Sequence, residues 1–246
     1  MAEFAGKVAL VTGGSRGIGA AIARRLARGG ADVALTYVSA PERGRAVVAD
    51  IEAAGRRGLA IAADSADPAA VVGAVERTVA ELGRLDILVN NAGIALMGPL
   101  DAVTLEDVDR TLGIHVRAVF LASQAAARHM GAGGRIVSIG SCLADRVPGP
   151  GITLYSMSKA ALVGLTKGLA RDLGARGITA NLVQPGPIDT DMNPAHGAGA
   201  DGQRSVVALG HYGSVDDIAA TVAHLAGEGG RFITGATIAV DGGFAA

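Results

Sequence analysis

The sequence of 246 residues is short of several residue types, and each shortage narrows the range of possible functions. Cys142 is its one cysteine, so no intrachain disulfide can form, which favours a reducing cytoplasm. Tryptophan is absent and only 3% of the residues are aromatic, whereas 37 are glycine. The core must therefore consist mainly of small aliphatic side chains, which suits close packing of helices on a sheet.

An excess of charge and long apolar runs are missing as well. The 22 basic residues balance 23 acidic ones, without the basic excess that binds nucleic acid or an anionic membrane surface. No apolar run reaches the roughly 18 residues of a membrane span, and the first residues lack a signal-peptide pattern. The five histidines lack metal-ligand spacing. We therefore expect a cytoplasmic protein with no nucleic-acid partner, no membrane contact and no metal.

The chain does have a regular alternation of short apolar segments with longer helical ones. The apolar segments predict strands at 7–12, 32–37, 58–63, 86–89, 135–139, 178–183 and 237–240. The longer segments predict helices at 16–28, 41–54, 68–82, 104–130, 153–175 and 215–226. Strands this apolar are buried on both faces, so the sheet should be parallel. We predict a single α/β domain over 1–246, a Rossmann-type doubly wound parallel sheet of about seven strands with helices on both faces.

One segment, 189–213, breaks this alternation, because it combines Pro194 with five glycines and has weak periodicity. It follows the carboxyl end of a predicted strand, where open α/β sheets bind ligands. Loops this long in compact domains are usually functional or disordered. We predict a mobile substrate lid, with a disordered surface insertion as the alternative.

A glycine-rich turn joins the first predicted strand to the first predicted helix. Its sequence over residues 12–19 has the spacing G-x-x-x-G-x-G, from Gly13 through Gly17 to Gly19. Glycines let a backbone approach a pyrophosphate closely, and a helix N-terminus supplies N–H donors and a favourable dipole. This turn predicts a dinucleotide site, with a merely structural turn as the alternative.

The end of the second predicted strand bears on which dinucleotide binds. NAD sites usually place an acid there for the ribose 2′-hydroxyl, but residues 34–39 contain none. Arg16 in the glycine-rich turn could pair with a 2′-phosphate, or it could be a solvated residue of the first turn. Glu42 fits a first-turn helix acid better than a ribose ligand. NADP(H) is therefore favoured over NAD(H).

Tyr155 and Lys159 form the most specific pair in the chain. Residues four apart share one face of a helix, so a phenol and an ammonium can converge on one point. A nearby cation should lower the pKa of the Tyr155 phenol, so that it exchanges a proton with a substrate oxygen near neutral pH. Alone, this spacing also occurs on ordinary helix surfaces.

Four motifs stand in one order: the glycine-rich turn, the sequence Asn-Asn-Ala-Gly at 90–93, Ser141 followed by Tyr155-x-x-x-Lys159, and Pro-Gly at 185–186. In this order and spacing the chain resembles the short-chain dehydrogenase/reductase family over essentially its whole length. The resemblance implies an NADP(H)-dependent oxidoreductase. The cofactor residues that it and the preceding arguments imply are Gly13, Ser15, Arg16, Gly17, Ile18, Gly19, Tyr37, Ser39, Asp64, Ser65, Asn91, Ala92, Gly93, Tyr155, Lys159, Pro185, Gly186, Ile188 and Thr190.

The resemblance also implies catalytic roles. Ser141 and Tyr155 would donate hydrogen bonds to a ketone oxygen, Tyr155 would supply the proton, and Lys159 would lower its pKa and hold the nicotinamide ribose. Ser138, earlier in the same strand, is expected to be structural. His115 stands where the family often has an asparagine that holds a water for the lysine. It could hold that water, relay the proton itself, or only pack a kink in the helix.

The substrate is less sharply indicated. Many relatives of this kind reduce 3-oxoacyl groups on an acyl carrier protein, which docks on basic residues before the fifth strand and after the Tyr–Lys helix. Residues 129–134 are short of positive charge, although Arg176 remains at the second place. We therefore expect a ketone or carbonyl reductase acting on a small ketone or alcohol. A 3-oxoacyl-(acyl-carrier-protein) reductase, an NAD-dependent secondary-alcohol dehydrogenase and a catalytically silent NADP(H) sensor are the alternatives.

The resemblance also implies a homotetramer. Cys142 has no evident base and is expected to be a small wall or core residue. Five apolar side chains are predicted either to form a substrate pocket wall or to be ordinary core: Leu96, Leu143, Pro148, Leu154 and Met192.

Overall fold

A computed structural model of the chain describes residues 2–246. Its strands are β1 Val8–Val11, β2 Asp32–Tyr37, β3 Gly58–Ala62, β4 Ile87–Asn90, β5 Arg135–Ile139, β6 Thr179–Pro185 and β7 Thr237–Val240. Its helices are α1 Gly17–Arg28, α2 Pro41–Ala53, α3 Pro68–Leu82, α4 Leu105–Leu112, α5 Ala118–His129, α6 Thr153–Gly174, α7 Ala200–Ser205 and α8 Val215–Ala226. Apart from the helix predicted over 104–130, the strand and helix positions predicted from periodicity agree closely with these bounds.

All seven strands pair in parallel in one sheet, in the order β3-β2-β1-β4-β5-β6-β7. The chain winds outward from β1 to β3 and then returns to the other side of β1 with β4. Ligands of such sheets bind beside this reversal, at the carboxyl ends of the strands. The predicted doubly wound α/β fold is confirmed.

Alternate residues of the central strands point to opposite layers. Ala9 and Val11 of β1 pack in the layer that contains α1, α2 and α8, whereas Val8 and Leu10 pack in the layer that contains α3 and α5. These four side chains are at most 2% exposed. Alanines let the helices approach closely; in α5 they are Ala118, Ala122, Ala125, Ala126 and Ala127.

Polar side chains define where several helices begin. Thr104 and Asp107 form a reciprocal capping box at the start of α4, and Ser214 and Asp217 form another at the start of α8. Asp67 accepts a hydrogen bond from the Ala69 N–H at the start of α3. The start of α1 differs, because it has neither a side-chain cap nor an acid in its first turn.

The long helix predicted over 104–130 is interrupted. Residues Gly113–Arg117 form a π-helical turn between α4 and α5, and His115 lies within it. Segment 189–213, predicted as a lid without periodic structure, contains the short helix α7. Among the helices of residues 2–246, none combines the length and the apolar character that a membrane crossing needs.

Candidate active site

A cleft of about 1300 Å³ opens along the carboxyl ends of β1 to β6. It brings together every residue predicted to hold the dinucleotide, as well as Ser141, Tyr155 and Lys159. His115 is the exception among the predicted site residues, since it lies behind the wall of the cleft. Within residues 2–246, no three His, Cys, Asp or Glu side chains are grouped so that they could hold a metal ion.

The glycine-rich turn is held close to the end of β4. Gly13 has a φ of +62°, and a Cβ there would lie 3.0 Å from the Ala92 Cα. A Cβ on Gly19 would lie 2.4 Å from the Asn91 Nδ2, closer than atoms tolerate. Both positions therefore require glycine, for a tight turn and for close packing.

Two side chains at the carboxyl ends of β1 and β4 hold this turn in place through hydrogen bonds. The Asn91 Nδ2 donates to the carbonyl oxygens of Thr12 and Gly13, at 2.9 and 3.0 Å. The Thr12 hydroxyl accepts from the backbone N–H groups of Asn91 and Ala92, at 2.9 and 3.1 Å. Asn91 thus contributes its amide to the architecture of the turn, which fixes where the start of α1 points.

The start of α1 suits an anion. Arg16 precedes it in extended conformation, and neither a side-chain cap nor a first-turn acid competes for its free N–H groups. Unpaired N–H donors at a helix N-terminus bind phosphate through hydrogen bonds and the helix dipole. The donor set at this end of the cleft therefore fits the pyrophosphate of a dinucleotide.

Two arginines and one aspartate meet near the end of β2. Arg43, in the first turn of α2, donates from Nη1 to the Asp191 Oδ2 at 2.7 Å. The Arg16 Nη1 lies 4.0 Å from the same oxygen. All three side chains are between 50 and 59% exposed and line the cleft together with Tyr37 and Ser39. A dianionic group at this place would meet two guanidinium groups.

Ser141 follows β5 and begins a short 3₁₀ turn, Cys142–Ala144. Its hydroxyl accepts from the Leu143 N–H at 3.2 Å, and the residue is 7% exposed at the wall of the cleft. Ser138 points elsewhere, since its hydroxyl accepts from the Asn90 amide at 3.4 Å within the sheet. This agrees with the expectation that Ser138 is structural.

Tyr155 and Lys159 lie one turn apart on α6 and both line the cleft. The Lys159 Nζ is 5.8 Å from the centre of the Tyr155 ring and donates to the Ile139 carbonyl oxygen at 3.1 Å. Lys159 is only 5% exposed, and this burial lowers its pKa to about 8. Gly93 lies between this ammonium and His115, because a Cβ there would be 3.6 Å from Nζ and 3.2 Å from the His115 Nε2.

The expectation of a lowered pKa for the Tyr155 phenol is wrong for this structure. Burial raises the pKa of Tyr155, and a hydrogen bond with the Ser141 side chain only partly opposes the rise. The reason is that desolvation disfavours the charged phenolate more than the hydrogen bond favours it. Tyr155 is accordingly a proton donor at neutral pH.

His115 is 1% exposed and both of its ring nitrogens are engaged. Its Nε2 accepts from the Ile94 N–H at 3.0 Å, so Nδ1 carries the hydrogen and donates to the Ser158 hydroxyl at 2.8 Å. Ser158 in turn donates to the Tyr155 carbonyl oxygen at 2.7 Å. The imidazole edge also meets the Tyr155 ring, with centres 5.6 Å apart. His115 therefore links the loop after β4 to the backbone of the Tyr–Lys helix.

The alternatives in which His115 relays a proton or holds a water are corrected by this geometry. Burial, and then the Lys159 charge, lower the pKa of His115 to about 3, so the ring stays neutral at physiological pH. Neither nitrogen is available to a water, because one accepts from a backbone N–H and the other donates to Ser158. His115 is a positioning residue at the π-helical turn.

This burial predicts acid sensitivity. The unfolded chain takes up a proton at His115 near pH 6.5, whereas the folded protein does so only near pH 3, so stability falls as pH drops through this interval. The loss from this residue should reach about 2 kcal/mol at pH 5. Between pH 7 and pH 5, the free energy of unfolding should fall less in His115→Asn than in the wild type, by about this amount. Urea unfolding at both pH values measures the difference.

His196→Asn is the matched control, because His196 is exposed in segment 189–213. It should follow the wild-type dependence on pH. An unchanged dependence in His115→Asn would show that the buried imidazole does not contribute to acid unfolding.

Apolar side chains cover the end of the cleft next to Ser141 and Tyr155. Of the five predicted wall residues, Leu143, Pro148 and Met192 line the cleft, whereas Leu96 and Leu154 do not. Leu154 is 7% exposed and belongs to the core, because it faces away from the cleft at the start of α6. Further apolar lining comes from Met97, Ile152, Val206 and Phe244.

Cys142 also lines the cleft but is 4% exposed, packed with Val207 and Phe244. Burial, and then the negative charge of Asp241, raise the pKa of its thiol to about 12. A thiol that stays protonated is a poor nucleophile, so Cys142 is an inert wall residue.

Five residues with clear structural roles at the site were not predicted. Arg43 could have been suspected as a base in the first helical turn after a strand that lacks an acid. The others have no local signal, because they act through contacts with distant parts of the chain. They are Thr12, Ser158, Asp191 and Thr36, whose hydroxyl accepts from the Gly13 N–H at 2.9 Å.

The chain is similar in sequence to known proteins over its whole length. A family model described as enoyl-(acyl carrier protein) reductase matches residues 13–245. A cyclic-di-GMP-binding biofilm dispersal mediator protein of Escherichia coli is 46% identical, with both chains covered completely. A 3-oxoacyl-(acyl-carrier-protein) reductase of the same organism is 42% identical, with 98% of each chain covered.

Solved structures are similar as well. The crystal structure of a short-chain dehydrogenase from Burkholderia cenocepacia in complex with NADP is 64% identical in sequence. The match covers 99% of this chain and 100% of the other, with a TM-score of 0.98.

Proposed function

Because this chain belongs to the short-chain dehydrogenase/reductase family, we propose that it uses NADP(H) to reduce the carbonyl group of a small ketone, or to oxidise the alcohol in reverse. The observation that carries the proposal is that Ser141, Tyr155 and Lys159 line the same cleft as the glycine-rich turn. The similar Burkholderia cenocepacia structure, solved with NADP, supports the choice of cofactor.

We propose that the start of α1 binds the cofactor pyrophosphate and that Arg16 and Arg43 bind its 2′-phosphate. The uncapped N–H groups and the two guanidinium groups at one end of the cleft support this assignment. Asp64 and Ser65 would meet the adenine, and the loop at 91–93 its ribose. Residues 185, 186, 188 and 190 also line the cleft and would hold the nicotinamide end.

Ser141 and Tyr155 would bind the ketone oxygen through their hydroxyl groups, where negative charge develops during reduction. The bound cofactor supplies a hydride to the carbonyl carbon. Tyr155 then gives its proton to the oxygen, which suits a phenol that stays protonated at neutral pH. Lys159 would hold the ribose and stabilise the phenolate left behind, because its ammonium is close to the ring and is mostly charged below its pKa of about 8.

The surroundings favour a small apolar ketone. The wall beside Ser141 is lined by Leu143, Pro148 and Phe244, which offer no charge to a phosphate or carboxylate. Met192, Gln203 and Val206 extend this wall from segment 189–213, which supports its proposed role as a lid. Because these three side chains line the cleft, we expect substitutions in this segment to change substrate preference.

Docking of an acyl carrier protein is less favoured. Arg176, the basic residue expected at the second docking place, donates from Nη2 to the carbonyl oxygens of Ala127 and Met130, at 2.6 and 2.9 Å. Its Nη2 thereby caps the end of α5, so that part of this guanidinium group is engaged within the chain.

A panel of ketones, keto esters and β-ketoacyl thioesters, assayed with NADPH and with NADH, tests the proposal. We expect turnover of simple ketones with a preference for NADPH. Activity on thioesters far above that on ketones would instead support the 3-oxoacyl reductase alternative. A preference for NADH would support the secondary-alcohol dehydrogenase alternative.

A second candidate is an NADP(H)-binding protein without turnover. It is suggested by the biofilm dispersal relative, whose name describes a ligand-binding rather than an enzymatic role. The complete set of Ser141, Tyr155 and Lys159 in the cleft supports the enzyme instead. Tight binding of NADPH without consumption across the whole panel would favour the sensor.

Arg16→Ala should weaken NADPH binding more than NADH binding. The side chain is half exposed, so the loss for NADPH should be about 1–2 kcal/mol, or five- to thirtyfold. The measurement is titration of each cofactor on the free protein. Arg24→Ala is the control, since Arg24 lies within α1, outside the lining of the cleft, and pairs with Asp50. Equal losses for both cofactors would remove Arg16 from the 2′-phosphate site.

A further inference from the structure

The two arginines proposed for the 2′-phosphate already have an anionic partner within the protein. A single oxygen of Asp191 accepts from Arg43 at 2.7 Å and lies 4.0 Å from Arg16. The three residues come from three separate parts of the chain: the glycine-rich turn, the first turn of α2 and the start of segment 189–213. The carboxylate thus lies where a phosphate would have to place its own oxygens.

We propose that Asp191 competes with the cofactor 2′-phosphate for Arg16 and Arg43, so that binding of this phosphate releases the start of segment 189–213. This inference rests on the proposed cofactor site. Asp191 would then lower the affinity for the cofactor, whereas Arg16 and Arg43 would raise it. It also links recognition of the 2′-phosphate to the segment that covers the substrate end of the cleft.

The competition favours the phosphate. A phosphate carries close to two negative charges and three acceptor oxygens, whereas Asp191 offers one charge and uses one oxygen for both arginines. The Asp191–Arg43 pair is about half exposed, and pairs of this kind shift equilibria by only about two- to fivefold. Repulsion between the phosphate and the carboxylate adds to the displacement. Glu42 lines the same end of the cleft and contributes a further negative charge.

Asp191 is connected to the rest of segment 189–213 by hydrogen bonds, so its displacement should affect that segment. It lies in a tight turn in which Thr190 and Asn193 exchange backbone hydrogen bonds, at 3.4 and 3.1 Å. Asn193 in turn exchanges two amide hydrogen bonds with Gln203 of α7, both at 3.0 Å. Both amides line the cleft, next to Met192. Loss of the contact between Asp191 and Arg43 therefore frees a turn that is directly connected to α7.

The test uses two nucleotides that differ only in the 2′-phosphate: 2′,5′-ADP and 5′-AMP. Their dissociation constants are measured by calorimetry on the free protein, so the result does not depend on turnover. We expect Asp191→Asn to bind 2′,5′-ADP about two- to fivefold more tightly and 5′-AMP as the wild type does. Asp201→Asn is the control, because it removes the same charge from α7, where the fully exposed Asp201 pairs with Arg204; it should change neither constant.

Hydrogen exchange supplies a second readout. The backbone N–H groups of residues 190–193 should exchange faster in wild type with 2′,5′-ADP than with 5′-AMP, and this difference should disappear in Asp191→Asn. Unchanged or weaker binding of 2′,5′-ADP by Asp191→Asn would overturn the competition. Arg16→Ala and Arg43→Ala separate the two proposals: if they lose preference for 2′,5′-ADP while Asp191→Asn has no effect, the phosphate site stands and the inference about Asp191 fails.

Discussion

Replacing Tyr155 with Phe should lower the turnover of ketones by about 10²–10⁴-fold and leave NADPH binding nearly unchanged. The variant removes one hydroxyl from a partly buried side chain in the lining of the cleft and adds no bulk, so the fold should be retained. With the hydroxyl, the reaction loses both a hydrogen-bond donor to the developing negative charge and the source of the proton. Steady-state rates and cofactor titration on the same preparation separate the two effects.

Tyr212→Phe is the matched control for this result. The Tyr212 hydroxyl is buried, has no hydrogen-bond partner within residues 2–246 and lies outside the lining of the cleft. Its removal should leave turnover within the range of the wild type. Full turnover by Tyr155→Phe would mean that another group supplies the proton.

Lys159→Met should abolish activity and yet stabilise the protein. Because burial lowers the pKa of Lys159 from 10.5 to about 8, holding its ammonium in the fold at pH 7 costs roughly 3 kcal/mol. The variant also leaves the Ile139 carbonyl oxygen without its donor, which offsets about 1 kcal/mol of the stability gained by removing the buried charge. We therefore expect the free energy of unfolding at pH 7 to rise by about 2 kcal/mol while turnover falls by at least about a hundredfold.

The dependence on pH identifies the cause of this stabilisation. The cost of the charge is complete below pH 8 and disappears as pH rises toward 10.5, so the advantage of the variant should shrink over that interval. Lys167→Met is the control, because Lys167 is exposed on the same helix. Destabilisation by Lys159→Met at neutral pH would contradict the predicted strain of burying this ammonium.

Much of the fold follows from local patterns. The buried strands are apolar over their whole length, and β-α alternation with turn residues between the elements leaves few arrangements other than a parallel sheet. A kink near His115 was among the alternatives, but the π-helical turn that interrupts the helix over 104–130 has no local signature. The His115 ring reaches Ile94 and Ser158, which are 21 and 43 residues away. No local signal distinguishes such a side chain from a titrating histidine.

The site residues likewise divide into those with a local signature in the sequence and those whose roles depend on the folded chain. The glycine-rich turn and the spacing of Tyr155 and Lys159 have local signatures, and these residues meet in one cleft. Burial was not available from the sequence, and it reverses the expected direction of the Tyr155 pKa. Arg43 and Asp191 are 148 residues apart, so their pairing depends wholly on the folded chain.

Transfer of a deuterium label tests the central claim most directly. The protein is incubated with a simple ketone and with NADPH that carries deuterium at both positions of C4. We expect the label on the carbinol carbon of the alcohol, in a one-to-one ratio with the cofactor oxidised, and almost none with Tyr155→Phe. Tight binding of the labelled cofactor with no labelled alcohol from any ketone of the panel would contradict the proposed reaction.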